Sequence, residues 1–109
     1  MERLKPEIKS KKPDATIRFE PSEDVMSLLS ASTIEGKLNA WHYKRGWTRR
    51  FIVREDRGAI EVMLRDYVIA IYLLEHHKLF RLASCLDLHW PFIRRAFREE
   101  FGEQTKIVE

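Results

Sequence analysis

The sequence predicts a small, mainly α-helical domain, and three observations support this fold class. Apolar residues recur every three or four positions from Ile60 to Leu74, which is the spacing of one face of a helix about four turns long. Ser22 and Thr33 are good helix N-cap residues, and each precedes apolar residues at helical spacing. Gly46 follows two basic residues and offers the left-handed conformation that often ends a helix.

Length and composition limit the organisation of the chain. With 109 residues, of which 44% are hydrophobic and 34% charged, it has room for one domain and enough apolar surface for a core. Residues 1–13 contain two prolines, five basic residues and few apolar ones, which predicts a flexible basic N-terminal arm. We therefore expect a single globular domain over residues 14–109.

The same features predict a cytoplasmic protein. No apolar run is long enough to span a membrane, and the N-terminus lacks the apolar stretch of a secretory signal. Cys85 is the only cysteine, so the chain cannot form an internal disulfide, which favours a reducing compartment inside the cell.

The segments before residue 75 predict a mixture of short strands and helices. Alternating polar and apolar residues at 15–20, and a β-rich run at 49–54, predict a short two-stranded β-ribbon. Between them we expect two helices, one ending near Ser32 and the other at Gly46. A polar turn at 54–58 leads into the helix predicted from Ile60, whose apolar surface is wide enough for a central position in the core.

Residues 79–101 contain the most informative pattern. Small or apolar residues stand where two helices that cross at a tight turn would touch, namely Leu82, Ala83, Leu86, Leu88, Ile93 and Ala96. Pro91 suits the first turn of the second helix, while Asp87 stands where such turns usually have glycine. Residues 79–98 resemble the helix-turn-helix DNA-binding superfamily.

This resemblance implies a sequence-specific protein that binds double-stranded DNA, such as a small transcriptional regulator associated with the nucleoid. The second helix of the motif enters the major groove, where arginine can donate two hydrogen bonds to guanine. His89, Arg94, Arg95 and Arg98 are the candidate base-reading residues. A homodimer is expected, because one such helix makes too few contacts to be selective.

A second basic cluster, residues 42–50, mixes aromatic and basic side chains. This composition is used to bind phosphate backbones and single-stranded bases. Lys44, Arg45, Arg49 and Arg50 are the candidate phosphate contacts. The cluster also fits a solvated turn between core tryptophans, and it leaves RNA or single-strand binding as an alternative function.

A protein-interaction module, such as an inhibitor or an adaptor subunit, is the other alternative. It would use an aromatic surface made of Trp41, Tyr43, Trp47, Trp90 and Phe92. We expect no enzymatic activity, cofactor or metal, because the sequence has no glycine-rich phosphate loop and its histidines lack the spacing of metal ligands.

Overall fold

Within residues 23–109, the fold is a five-stranded sheet with two helices on one face. A computed structural model describes residues 23–109, with side chains from Met26 onward. The elements in chain order are α1 (Glu23–Lys44), β1 (Phe51–Asp56), β2 (Ala59–Leu64), β3 (Tyr67–Leu73), β4 (Lys78–Arg81), α2 (Trp90–Phe101) and β5 (Lys106–Val108). Neither of these two helices is long and apolar enough to cross a membrane.

The strands are arranged in chain order across the sheet. β1 to β4 form an antiparallel meander, and β5 returns after α2 to pair with β4 in parallel. The turn between β1 and β2 contains Arg57 and Gly58, whose φ angles of 51° and 85° match the right-handed twist of a hairpin. This turn confirms the polar turn predicted at 54–58.

One face of the sheet forms the hydrophobic core with the helices. Residues at alternate strand positions point toward α1 and α2, and Ile60, Val62 and Tyr72 among them are fully buried. Ile34 from α1 and Ile93 from α2 fill the other side of this layer. The domain therefore consists of one helical layer on one β-layer.

The prediction of a mainly α-helical domain is wrong, and the region from Ile60 to Leu74 shows why. This region forms the hairpin of β2 and β3, with a turn at Arg65 and Asp66. Both faces of the hairpin carry apolar residues, so the two-residue alternation of a strand is hidden. The apolar residues then coincide with helical spacing, although many of them are β-branched.

The predicted helix-turn-helix at 79–101 is also absent. Residues 78–81 form a strand, and turns lead from it to α2, so the first helix of the motif does not exist. Ala83 and Leu88 are exposed, whereas Ile93 and Ala96 are buried against the sheet. Only the second helix was predicted correctly, and Pro91 lies in its first turn as expected.

In the N-terminal half, the observed helices differ from the predicted ones, and the observed strands agree with the prediction in part. α1 is one continuous helix where the sequence predicted two, and Gly46 follows its end with a φ of 79°. The strand predicted at 49–54 exists as β1, but its described partner is β2. The expected arm at 1–13 and the strand at 15–20 lie outside the described residues.

Candidate functional site

The C-terminal end of α1 and the chain that leads into β1 surround a cleft of about 720 Å³. Gly46 makes the turn, and its backbone N–H donates to the carbonyl oxygen of Tyr43 over 2.9 Å. We call residues 42–50 the basic segment. The described residues that line the cleft are Asn39, His42, Tyr43, Lys44, Gly46, Trp47, Thr48, Arg49 and Arg50.

The charge of the cleft is positive. Lys44 and Arg49 are exposed, and neither has an ion-pair partner within residues 23–109. Arg50 lies 4.0 Å from a carboxylate oxygen of Glu35, but 77% of its side chain is exposed, so water screens this contact. None of the described lining residues is acidic. The cleft therefore attracts anions.

Beside the cleft, cations and aromatic rings alternate in a row that joins the end of α1 to the start of α2. Arg45 lies over two rings, with its guanidinium carbon 4.4 Å from the centre of Phe92 and 5.7 Å from that of Trp47. Arg95 lies 4.4 Å from the centre of Trp41, whose ring is 6.1 Å from Phe92. These contacts hold the basic segment against α2.

Behind the basic segment, two histidines lie in an aromatic cluster. The rings of His42 and His89 are 5.7 Å apart, and both contact Trp47 and Phe51. Both side chains are buried, at 5% and 6% exposure. Both nitrogens of His42 and Nδ1 of His89 are buried, and they have no hydrogen-bond partner in the part of the chain that the structure describes.

This environment disfavours a charge on either imidazole. Burial lowers the pKa of His42, and burial together with repulsion from His42 lowers the pKa of His89. Both rings are therefore neutral at neutral pH, and they act there as aromatic packing groups beneath the cleft.

The four candidate base-reading residues do not form one outward surface. His89 is buried in the cluster described above, and Arg95 forms an ion pair with Glu99 over 2.9 Å in addition to its contact with Trp41. Arg94 is half-buried, and its enclosed Nε has no hydrogen-bond partner among residues 23–109. Arg98 alone of the four is exposed without a described ion-pair partner. The four candidate phosphate contacts, by contrast, all belong to the basic segment.

The five aromatic residues considered for protein docking are mostly covered. Trp90 is a core residue with 3% exposure, and Trp41, Trp47 and Phe92 are half-buried in the row described above. Tyr43 is the exception, since 81% of it is exposed at the mouth of the cleft.

Sequence reasoning missed the roles of His42 and Asn39. His42 pairs with His89 across a long stretch of chain, and no local spacing connects the two. Asn39 lines the cleft and also binds the first residue of β1, a role that depends on the position of the strand.

The described residues form neither a metal site nor an exposed thiol. Across residues 23–109, no three His, Cys, Asp or Glu side chains converge closely enough to hold a metal ion. Cys85 is buried, and burial raises the pKa of its thiol, so the nucleophilic thiolate is disfavoured.

No family model, curated protein or solved structure matches this chain.

Proposed function

We propose that this protein binds single-stranded nucleic acid through the basic segment. The observation that carries the proposal is the cleft at the end of α1, which combines Lys44, Arg49 and Arg50 with the rings of Tyr43 and Trp47 and has no acidic lining residue among those described. Single-strand binding surfaces commonly have this composition, with cations that follow the backbone and rings that stack on bases.

Each group has a distinct task in such a complex. Lys44, Arg49 and Arg50 can donate hydrogen bonds to phosphate oxygens, and their exposure means that binding requires no large desolvation of buried charge. The exposed ring of Tyr43 offers a face on which an unpaired base can stack. The contacts of Arg45 with Phe92 and Trp47 keep the segment ordered before binding, which lowers the entropy lost on association.

The shape of the site favours a single strand over a duplex. A cleft of about 720 Å³ has the size of a pocket for a small molecule or a few nucleotides. A stacking ring such as Tyr43 is useful only to a base that is not already stacked in a helix. The helix-turn-helix that would read duplex DNA is absent from the fold.

Fluorescence anisotropy with labelled single-stranded RNA, single-stranded DNA and duplex DNA, each over a salt series, tests the proposal. We expect binding to both single strands, weaker binding to the duplex, and a negative slope of log affinity against log salt. Arg49→Gln with Arg50→Gln should flatten the slope for the single strands by about 1.4, because each phosphate contact contributes roughly 0.7 there. Tyr43→Ala should cost about 1–3 kcal/mol in single-strand affinity through lost stacking.

The matched control is Arg57→Gln with Arg65→Gln, which removes two exposed positive charges from turns outside the cleft. This variant should retain the affinity and the salt slope. Equal losses in the two double variants would show that only net charge matters and would reject the cleft as the binding site. Absence of single-strand binding at low salt would reject the proposal itself.

A further inference from the structure

The second face of the sheet, opposite the helices, is an apolar surface with a definite charge pattern. Both described helices pack on the face that carries Val62 and Tyr72. The alternate residues therefore point away from the core. We call this surface the open face.

Apolar side chains dominate the open face. The central strand β3 contributes Val68, Ile71 and Leu73, and neighbouring strands contribute Ile52, Met63, Phe80 and Val108. None of these residues belongs to the core cluster or packs against it. Ile52 is 51% exposed and Val108 39%.

A sheet face that remains in water normally carries polar residues at these positions. An apolar patch of this kind marks an interaction surface. The open face is therefore expected to be covered by a partner.

The charges on the open face are divided by β3. Asp56 and Glu61 stand on β1 and β2, while Lys78 and Lys106 stand on β4 and β5. The strand register places Asp56, Ala59, Leu73, Lys78 and Lys106 in one row across the sheet. Arg54 lies on the acidic side, but its Nε donates to Glu61 over 2.8 Å, so this pair is neutral as a unit. The β1–β2 half thus carries the uncompensated negative charge of Asp56, and the β4–β5 half carries the positive charges of Lys78 and Lys106.

We infer that the open face binds the open face of a second copy of this chain, with a two-fold axis that runs along β3. Rotation about that axis places β1 of one subunit opposite β5 of the other, and β2 opposite β4. Each row of residues across the sheet then lies opposite the same row of the second subunit. Ile71 and Leu73 then meet the same residues of the partner subunit, and Asp56 faces Lys106 of the partner subunit. A two-fold interface needs a surface that is complementary to itself, and the open face satisfies this requirement in both apolar contacts and charge.

The open face is small for a stable dimer interface. Five strands of three to seven residues, at about 3.3 Å per residue and about 4.8 Å between strands, cover roughly 400 Å² in projection. Projecting side chains add area, but the interface stays near or below the roughly 800 Å² per partner of a standard stable complex. We therefore expect a dimer that dissociates in the micromolar range.

Sheets that pack face to face lie about 10 Å apart and nearly aligned, which brings the opposed charges within reach of each other.

Sedimentation velocity of the full chain from about 1 to 200 μM tests this inference independently of nucleic-acid binding. The wild-type protein should shift from monomer to dimer over this range. Ile71→Glu places two carboxylates on the axis and should abolish the dimer, with circular dichroism as the check that the sheet still forms.

Charge reversal tests the orientation of the partner with changes confined to exposed positions. Asp56→Lys alone and Lys106→Glu alone should each weaken the dimer several-fold, because like charges then face each other at both ends. An equimolar mixture of the two variants should form a heterodimer tighter than either homodimer, because both opposed pairs are attractive again. A mixture no tighter than its components would overturn the two-fold along β3. A wild-type protein that stays monomeric at 200 μM would overturn self-association and would assign the open face to a different protein or to residues 1–22.

Discussion

The side-chain amide of Asn39 pairs with both backbone groups of Phe51. Its Nδ2 donates to the Phe51 carbonyl oxygen over 2.9 Å, and its Oδ1 accepts the Phe51 N–H over 2.7 Å. A carboxylate oxygen of Glu35, one turn earlier on α1, accepts the N–H of Val53 over 2.8 Å. Side chains of α1 thus form the hydrogen bonds to the outer edge of β1 that a neighbouring strand would otherwise form. These backbone groups are therefore not available to pair with a strand of another chain.

We expect Asn39→Ala to lower the free energy of unfolding by about 1–3 kcal/mol, because it leaves two partly buried backbone groups without partners. Urea denaturation monitored by tryptophan fluorescence measures this loss. Thr33→Ala, at an exposed position of the same helix, is the control and should change stability little. Equal stability of Asn39→Ala and the wild-type protein would show that water replaces the amide without cost.

Sequence reasoning identified several local features because each depends on near neighbours. Pro91 marks the first turn of α2, Gly46 marks the end of α1, and Ile93 with Ala96 marks the buried side of α2. The strand character of Phe51–Val53 was visible as well, from β-branched and aromatic residues in succession.

The sheet was not predictable by the same reasoning, because its signals conflict. The open face and the core face are both apolar, so Ile71 and Tyr72 follow one another without the polar alternation of a half-buried strand. The candidate site was recognised in part, since the cations of the basic segment are adjacent in sequence. Its buried histidines come together only through the packing of α1 against the start of α2, which no local pattern encodes.

The core between sheet and α2 contains three stacked rings. Tyr72 lies 5.2 Å from Phe97 and 4.4 Å from Phe101, measured between ring centres, with interplanar angles of 28° and 12°. We expect Phe97→Ala to cost about 3–5 kcal/mol, because Phe97 is fully buried and its removal leaves a cavity. Phe101→Ala, at a half-buried position, is the comparison and should cost less in the same urea titration. Similar losses in the two variants would contradict the depth of burial described for Phe97.

The buried histidine pair makes stability depend on pH. The pKa of His42 and that of His89 are both lowered in the folded protein, so the unfolded chain binds more protons just below pH 6.5. The free energy of unfolding therefore rises with pH in this window, and it falls as pH decreases from about 7 through the lowered pKa values. Thermal unfolding from pH 7.5 to 5 should show a decreasing Tm.

Substitution of both histidines tests whether His42 and His89 cause this pH dependence. His42→Phe combined with His89→Phe should reduce the fall of Tm, because neither side chain can then be protonated. The control His76→Gln, which replaces an exposed histidine, should retain the wild-type profile. An unchanged profile in the double variant would assign the dependence to carboxylates instead.

Two glycines should respond to the same substitution with opposite signs. Gly36 lies inside α1, and a Cβ atom there would meet no other atom within 4 Å. Gly36→Ala should therefore stabilise the protein by about 0.5–1 kcal/mol, since alanine loses less backbone entropy on folding into a helix.

Gly46 also has open space around it, but its φ of 79° lies in the left-handed region. Gly46→Ala should destabilise the protein by about 1–2 kcal/mol through backbone strain alone. Urea denaturation of both variants at one temperature and pH measures the two effects against the same wild-type curve. A stabilising Gly46→Ala would mean that the turn into the cleft does not require a left-handed residue.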